Sequence, residues 1–307
     1  MSDTVLTMSE GSIAQGSQSF AAAARLFDRQ TRTDAVMLYA WCRYCDDVID
    51  GQTGGQEQQA DFRLGQQQRL EALRSETRRA LTGAQHPQPV FEALRRVAER
   101  HRIPTRHPEE LLKGFEMDVI NRRYDTVDDT LDYCYHVAGV VGVMMAMIMG
   151  VRDERTLDRA CDLGLAFQLT NIARDIIDDA RVGRVYLPSE LLVRHGIARV
   201  NAEDPTQRPA LHAAALDLLD LAEGYYYSAY HGLAALPPRS AWAIAAARRV
   251  YREIGSKLRA KGPRAWERRV STTAVEKAAL LAQALGDVAV SRVSGRGRPR
   301  TDLWQRP

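Results

Sequence analysis

Four cysteines among 307 residues are too few for a disulfide scaffold. The N-terminal residues hold neither a basic stretch nor an apolar run that would mark a secretory leader, so a reducing, cytoplasmic setting is expected. Cys42 and Cys45 form a C-x-x-C, yet no second Cys/His pair stands at zinc spacing, and the surrounding Trp41–Cys45 sequence reads as helix. Two small buried side chains account for them better than a metal or redox centre. Charge imbalance is also slight: the net charge is +3 with a pI near 8.7, too mild to call for nucleic acid. No segment alternates apolar and polar residues over a strand's length, which excludes a sheet, and no Gly-rich dinucleotide pattern follows a strand. The longest uncharged run, Val137–Val151, has fifteen residues, short of the roughly twenty of a membrane span. Four methionines and the close-packing Gly139 and Gly142 make it a buried central helix instead.

What is present is helix. A content of 45% hydrophobic and 26% charged residues supports a sizeable core in an all-α chain. The spacing predicts helices beginning near Ala21, over about 33–50, 56–83 and 89–101, from about Pro108, and from Thr130 into the uncharged run. Others are expected over 153–181, 211–236 and 240–261, the last being the final long one. Residues 1–15 read as a loose arm, 16–286 as one catalytic domain, and 287–307 as a basic, disordered tail with weak attraction to an anionic membrane.

Two acidic turns carry the chemistry. In the first, Asp46 and Asp50 share a helix face, with Arg43 and Tyr39 one and two turns earlier. In the second, Gln168, Asn171, Asp175 and Asp179 stay within a stripe of roughly 80°, with Asp178 just beside it and Arg174 farther out on its flank. Either turn alone is a solvated acidic face. Two of them, each beside an arginine on an apolar helix, suit Mg²⁺ held between carboxylates, with phosphate oxygens completing its shell. The chemistry this supports is ionisation of a diphosphate ester. Asp118 and Asp125, next to Arg122 and Arg123, read as solvated surface, and His136 as a core histidine.

Over about residues 16–281 the chain resembles the squalene/phytoene synthase family. The likeness is densest in Tyr39–Asp50, in Tyr133–Gly139 and from Gln168 through Pro188. It implies an all-α class I isoprenoid synthase fold, a single helical domain around a central cavity. For the phytoene branch it implies condensation of two geranylgeranyl diphosphates through prephytoene diphosphate, with Mg²⁺ (or Mn²⁺) and without NADPH. The squalene and dehydrosqualene branch would take farnesyl diphosphate instead. Terpene cyclases share acidic turns but not the extended second pattern, and assembly-factor relatives have lost their acidic residues. By resemblance, Asp46, Asp50, Asn171, Asp175 and Asp179 hold metal. Ser17, Gln18, Ser19 and Phe20 form a flap over the diphosphates. Tyr39, Arg43, Gln168, Arg174 and Tyr251 contact substrate, and Tyr133 positions a cation or relays its proton. Gln18 departs from the usual lysine. Met and Ala side chains of the uncharged helix are expected to line the hydrocarbon channel, and the protein to sit peripherally at the inner face of the membrane.

Overall fold

The computed structural model describes residues 4–16, 18–52, 61–83, 85–293 and 300–307, the side chains of 14–16, 18 and 19 excepted. The described residues contain no strand. In chain order the helices are α1 (Thr4–Gly16), α2 (Gln18–Ala24), α3 (Arg29–Asp50), α4 (Gln66–Leu81), α5 (Pro89–His101), α6 (Arg106–Val119) and α7 (Val127–Cys134). They continue as α8 (Val140–Ile148), α9 (Glu154–Arg181), α10 (Ser189–Arg194), α11 (Arg208–Tyr230), α12 (Pro238–Lys261) and α13 (Ala274–Val293). A π-helical turn, Tyr135–Gly139, joins α7 to α8.

The two helices with acidic turns each start on an aspartate cap. Asp28 caps α3, its carboxylate accepting from the backbone N–H of Gln30 and Thr31, each at 3.0 Å. Gly51, at φ 60°, ends it. Asp153 caps α9 by accepting from Thr156 N–H at 2.9 Å. Its 28 residues make a rod of about 42 Å.

Glycines let α9 meet the central helix at backbone distance. A Cβ on Gly164 would stand 2.3 Å from the Ala138 carbonyl oxygen, and one on Gly142 2.3 Å from that of Ala160. Either contact would push the helices apart. The stretch Val127–Ile148 is long and apolar enough to cross a membrane by length and composition, but 72% of its apolar window is buried. Val140, Val143, Met144 and Ala146 lie in the core.

Both chain ends differ from expectation. Thr4–Gly16 is a helix packed on α3 and α5, not a loose arm, because Val5, Ser9 and Ile13 recur at one-turn spacing and are buried. With only one short apolar stripe, its signal is faint in a polar sequence. α13 follows α12, so 240–261 is not the last long helix. Beyond it, residues 300–307 pack back onto the body. Arg300 donates to both oxygens of Asp162 at 2.7–3.1 Å, Arg306 binds Asp158 at 2.7 Å, and Trp304 lies against Tyr135 and the core. A buried carboxylate far back in the chain recruits this basic end.

Candidate active site

A cavity of about 420 Å³ runs between α3, α6, the α7–α8 helix, α9 and α12. Its mouth is polar. Phe20, Tyr39, Arg43 and Asp46 reach it from the N-terminal half, and Gln168, Asn171 and Tyr251 from the C-terminal half. Its depth is apolar, built of Val141, Met145, Ala146, Met149 and Leu163 with Leu233, Leu236 and Ile244. The Met and Ala side chains of the central helix do line it, as the apolar run suggested.

The site is positioned by helix periodicity. Tyr39, Arg43 and Asp46 are three- and four-residue steps on α3, and Gln168 and Asn171 sit one turn apart on α9. Arg43 donates to Asp46 at 2.5 Å. Arg174 grips Asp175 through two nitrogens, at 2.8 and 2.5 Å, and Arg269 reaches the same carboxylate at 3.0 Å. Gln168 accepts from the Asn171 amide at 3.3 Å, while Asn171 Oδ1 is buried without a donor. The ring of Phe20 stacks on Tyr39 at 5.3 Å, and Tyr251 stacks on Phe167 at 4.1 Å. Ser17 and the Gln18 and Ser19 side chains lie outside what the structure describes.

Besides Arg269, three participants emerge that spacing did not single out as site residues. Arg184 makes a two-pronged pair with Asp50, at 2.5 and 3.2 Å, across 134 residues of sequence. Asp118, read as solvated surface, instead lines the cavity and accepts from Tyr186 at 2.8 Å and from Tyr133 at 3.3 Å. Those two tyrosine rings stack at 4.7 Å. The misleading neighbours were Arg122 and Arg123. The available signal was that Leu111, Phe115 and Asp118 share one apolar face of α6. Asp125 is exposed, as expected, and Asp178 faces solvent in a 3.2 Å pair with Arg181. His136 is buried, with Nδ1 3.0 Å from the Glu110 carbonyl oxygen.

Crowding sets the electrostatics. Burial, reinforced by Asp50, Asp47 and Asp118, pushes Asp46 up to about 7 against the pull of Arg43. Burial also raises Asp118 to about 6, opposed by Arg184 and the Tyr186 hydroxyl. Asp179 goes up to about 8 through burial and the charges of Asp175 and Asp118. Carboxylates drawn this far above their ordinary range mark a place with more negative charge than the nearby guanidiniums offset. No three His, Cys, Asp or Glu side chains among the described residues converge tightly enough to enclose one ion, because four of the five acids turn toward arginines or tyrosines. The oxygen-only donor set and the undonated Asn171 Oδ1 nevertheless fit a hard divalent cation.

Comparison with known proteins agrees with this geometry. The family model described as squalene/phytoene synthase matches residues 13–276. A 15-cis-phytoene synthase of Paracoccus sp. (strain N81106 / MBIC 01143) is 56% identical over 307 residues, covering 100% of this chain and 99% of that protein. One from Pantoea ananas is 53% identical over 295 residues, with 96% of each chain covered. Among solved structures, a dehydrosqualene synthase in complex with ligand superposes with a TM-score of 0.84 at 26% identity, covering 93% of this chain and 97% of that one. The all-α fold is therefore that of the isoprenoid synthases, and the chain belongs to the squalene/phytoene synthase family.

Proposed function

We propose that the protein condenses two molecules of geranylgeranyl diphosphate head to head, through prephytoene diphosphate, into phytoene with release of diphosphate. The carrying observation is a single cavity with a carboxylate–guanidinium mouth and a long apolar depth, in a chain 56% identical end to end to a 15-cis-phytoene synthase. It is a prenyltransferase, and the acidic positions that the resemblance assigns to the metal, Asp46, Asp50, Asp175 and Asp179, are all present in the sequence.

Asp46, Asp50, Asn171, Asp175 and Asp179 would hold Mg²⁺, with Mn²⁺ able to substitute. Bound there, the ions supply charge neutralisation for diphosphate. The chain's own part is threefold. Arg43, Arg174, Arg184 and Arg269 offer guanidinium forks to phosphate oxygens. The rings of Tyr39, Phe20 and Tyr251 present aromatic faces where an allylic cation develops. The Val141–Met149 wall keeps water from that cation. Tyr133, hydrogen-bonded to Asp118, stands where a proton can be passed to a carboxylate. No reductant is needed for this product, so NADPH has no place in the reaction. We also place the protein in the cytoplasm, peripheral at the inner face of the membrane, since its product is a water-insoluble hydrocarbon.

The test is incubation of purified protein with Mg²⁺ and either the C15 or the C20 diphosphate, without NADPH, followed by extraction. A C40 hydrocarbon from the C20 substrate is expected. The likeness to a dehydrosqualene synthase structure favours a second reading, in which a C30 product forms from the C15 substrate and the C20 substrate is refused. That outcome would replace the first.

A further inference from the structure

The hydrocarbon end of the cavity is not apolar throughout. From the mouth to this end α9 forms one wall, through Asn171, Phe167, Leu163, Arg159 and Thr156 at three- and four-residue steps. Away from the mouth, Thr156 and Arg159 are the polar side chains in the lining among the described residues. Both are half-buried. Arg159 therefore stands between the cavity and solvent, where the ends of α8 and α11 meet the start of α9.

The contacts of Arg159 fix its side chain there. Its Nη1 donates to the Ser228 carbonyl oxygen at 2.9 Å and to the Ser228 hydroxyl oxygen at 3.4 Å. The single hydroxyl proton of Ser228 goes to Asp162 at 2.5 Å, which leaves the oxygen to accept from Arg159. The stem lies against Gly232, where an added Cβ would come within 3.1 Å of Arg159 Cβ and 3.6 Å of its Cδ. Binding the Ser228 carbonyl caps the last turn of α11. A cap alone does not account for a charged side chain in the lining of a hydrocarbon cavity.

Distance gives the position a meaning. Arg159 stands 12 residues before Asn171, about 18 Å along the helix axis. At bond lengths of about 1.5 Å, an extended prenyl chain measures about 14 Å for C15, about 19 Å for C20 and about 24 Å for C25. With its diphosphate held between Asn171 and Asp46, a C20 chain running along α9 ends at the guanidinium. A C25 chain would have to displace that group from Ser228 and press methyl groups against a charged donor.

We propose that Arg159 is a specificity-determining residue, a polar stop that admits a C20 chain along α9 and refuses a longer one. This deepens the function proposed above and rests on its reading of the substrate as a prenyl diphosphate.

The experiment measures binding, with Mg²⁺, of non-hydrolysable thiolodiphosphates carrying C20, C25 and ω-hydroxylated C20 chains, beside turnover of the C20 diphosphate. The native chain should bind the C20 analogue at least about thirtyfold tighter than the C25 one. Arg159→Leu should shrink that preference at least about tenfold, because no charged donor then has to be displaced. Arg159→Lys keeps a cationic donor and should hold the preference within about threefold. The ω-hydroxyl should cost the native chain less than about threefold, since the guanidinium can donate to it. In Arg159→Leu it should cost at least about tenfold, since the hydroxyl is then buried alone. A general loss of stability lowers all three affinities together and moves none of these ratios. If Arg159→Leu does not fold, the ω-hydroxyl measurement on the native chain decides, and a loss of about tenfold or more there overturns the stop. So does a C20-to-C25 preference that Arg159→Leu leaves unchanged. The expected ratios without any C40 product would sink the proposed function and leave the stop standing. C40 product with unchanged ratios would do the reverse.

Discussion

α9 carries inward-facing carboxylates near both ends, and the two groups differ in how fully they are partnered. Near its start, Asp162 is wholly buried, yet its shell is filled: Arg300 spans both oxygens and the Ser228 hydroxyl donates at 2.5 Å. Near its end, Asp175 and Asp179 join Asp46, Asp50 and Asp118. Against these five stand the guanidiniums of Arg43, Arg174, Arg184 and Arg269. The Asp179 carboxylate has no ion pair or hydrogen bond among the described residues and is pushed up to about 8. On the function proposed above, the same residue type on the same helix is structural at Asp162, whose partners are complete, and chemical at the mouth, where five carboxylates share four guanidiniums and that of Asp179 has none. A carboxylate meant only to hold a fold together is supplied with donors.

The contrast can be broken most forcefully at Asp175. Asp175→Ala should lower product formation by about three orders of magnitude while the chain stays folded, as judged by circular dichroism. Normal turnover would overturn the division between working and structural carboxylates.

The next largest effect lies at the other end. Arg300→Met leaves Asp162 as an uncompensated buried charge and should cost about 3–5 kcal/mol of stability, read by denaturant unfolding. Adding Asp162→Leu should recover much of that loss, because an apolar pair needs no counter-charge. If the double variant were no more stable than Arg300→Met, the ion pair would not be the cause.

Metal addition sharpens the comparison further. Saturating Mg²⁺ should raise the melting temperature by roughly 2–4 °C in the native chain. Asp175→Ala/Asp179→Ala should show no rise, and EDTA should reverse it. A rise of equal size in that variant would place the ion elsewhere.

Smaller effects test the cavity between these ends. Ala146 is 1% exposed and lines the depth, so Ala146→Trp should reduce use of the C20 diphosphate relative to the C15 one by roughly tenfold. Unchanged preference would mean that the chain runs along another wall. Smallest of all, Gln18→Lys adds a cation to the flap sequence and should lower KM for the diphosphate roughly two- to fivefold. An unchanged or higher KM would count against the flap.

Much of this was legible in the residues, and the misses have physical reasons. The α3 and α9 turns were readable because i,i+4 spacing places side chains on one face whatever surrounds the helix. The buried α7–α8 helix was readable from an uncharged run too short to span a bilayer. α1 was missed because a single stripe of Val5, Ser9 and Ile13 is weak against polar neighbours. Asp118 was misjudged because two arginines follow it in sequence, although the fold turns it inward with Leu111 and Phe115. The tail was read as disordered because its composition is basic and aperiodic. Arg300, Leu303, Trp304 and Arg306 nonetheless find Asp162, Asp158 and the core.

The sequence by itself determined helix class, the two acidic stripes and the apolar central run, since each depends only on periodicity within about 15 residues. Tertiary structure alone decided that the stripes share one cavity mouth, that Arg184 answers Asp50, and that Arg300 neutralises Asp162 from 138 residues away. Pairings of that separation follow from how whole helices pack, and no local spacing encodes them.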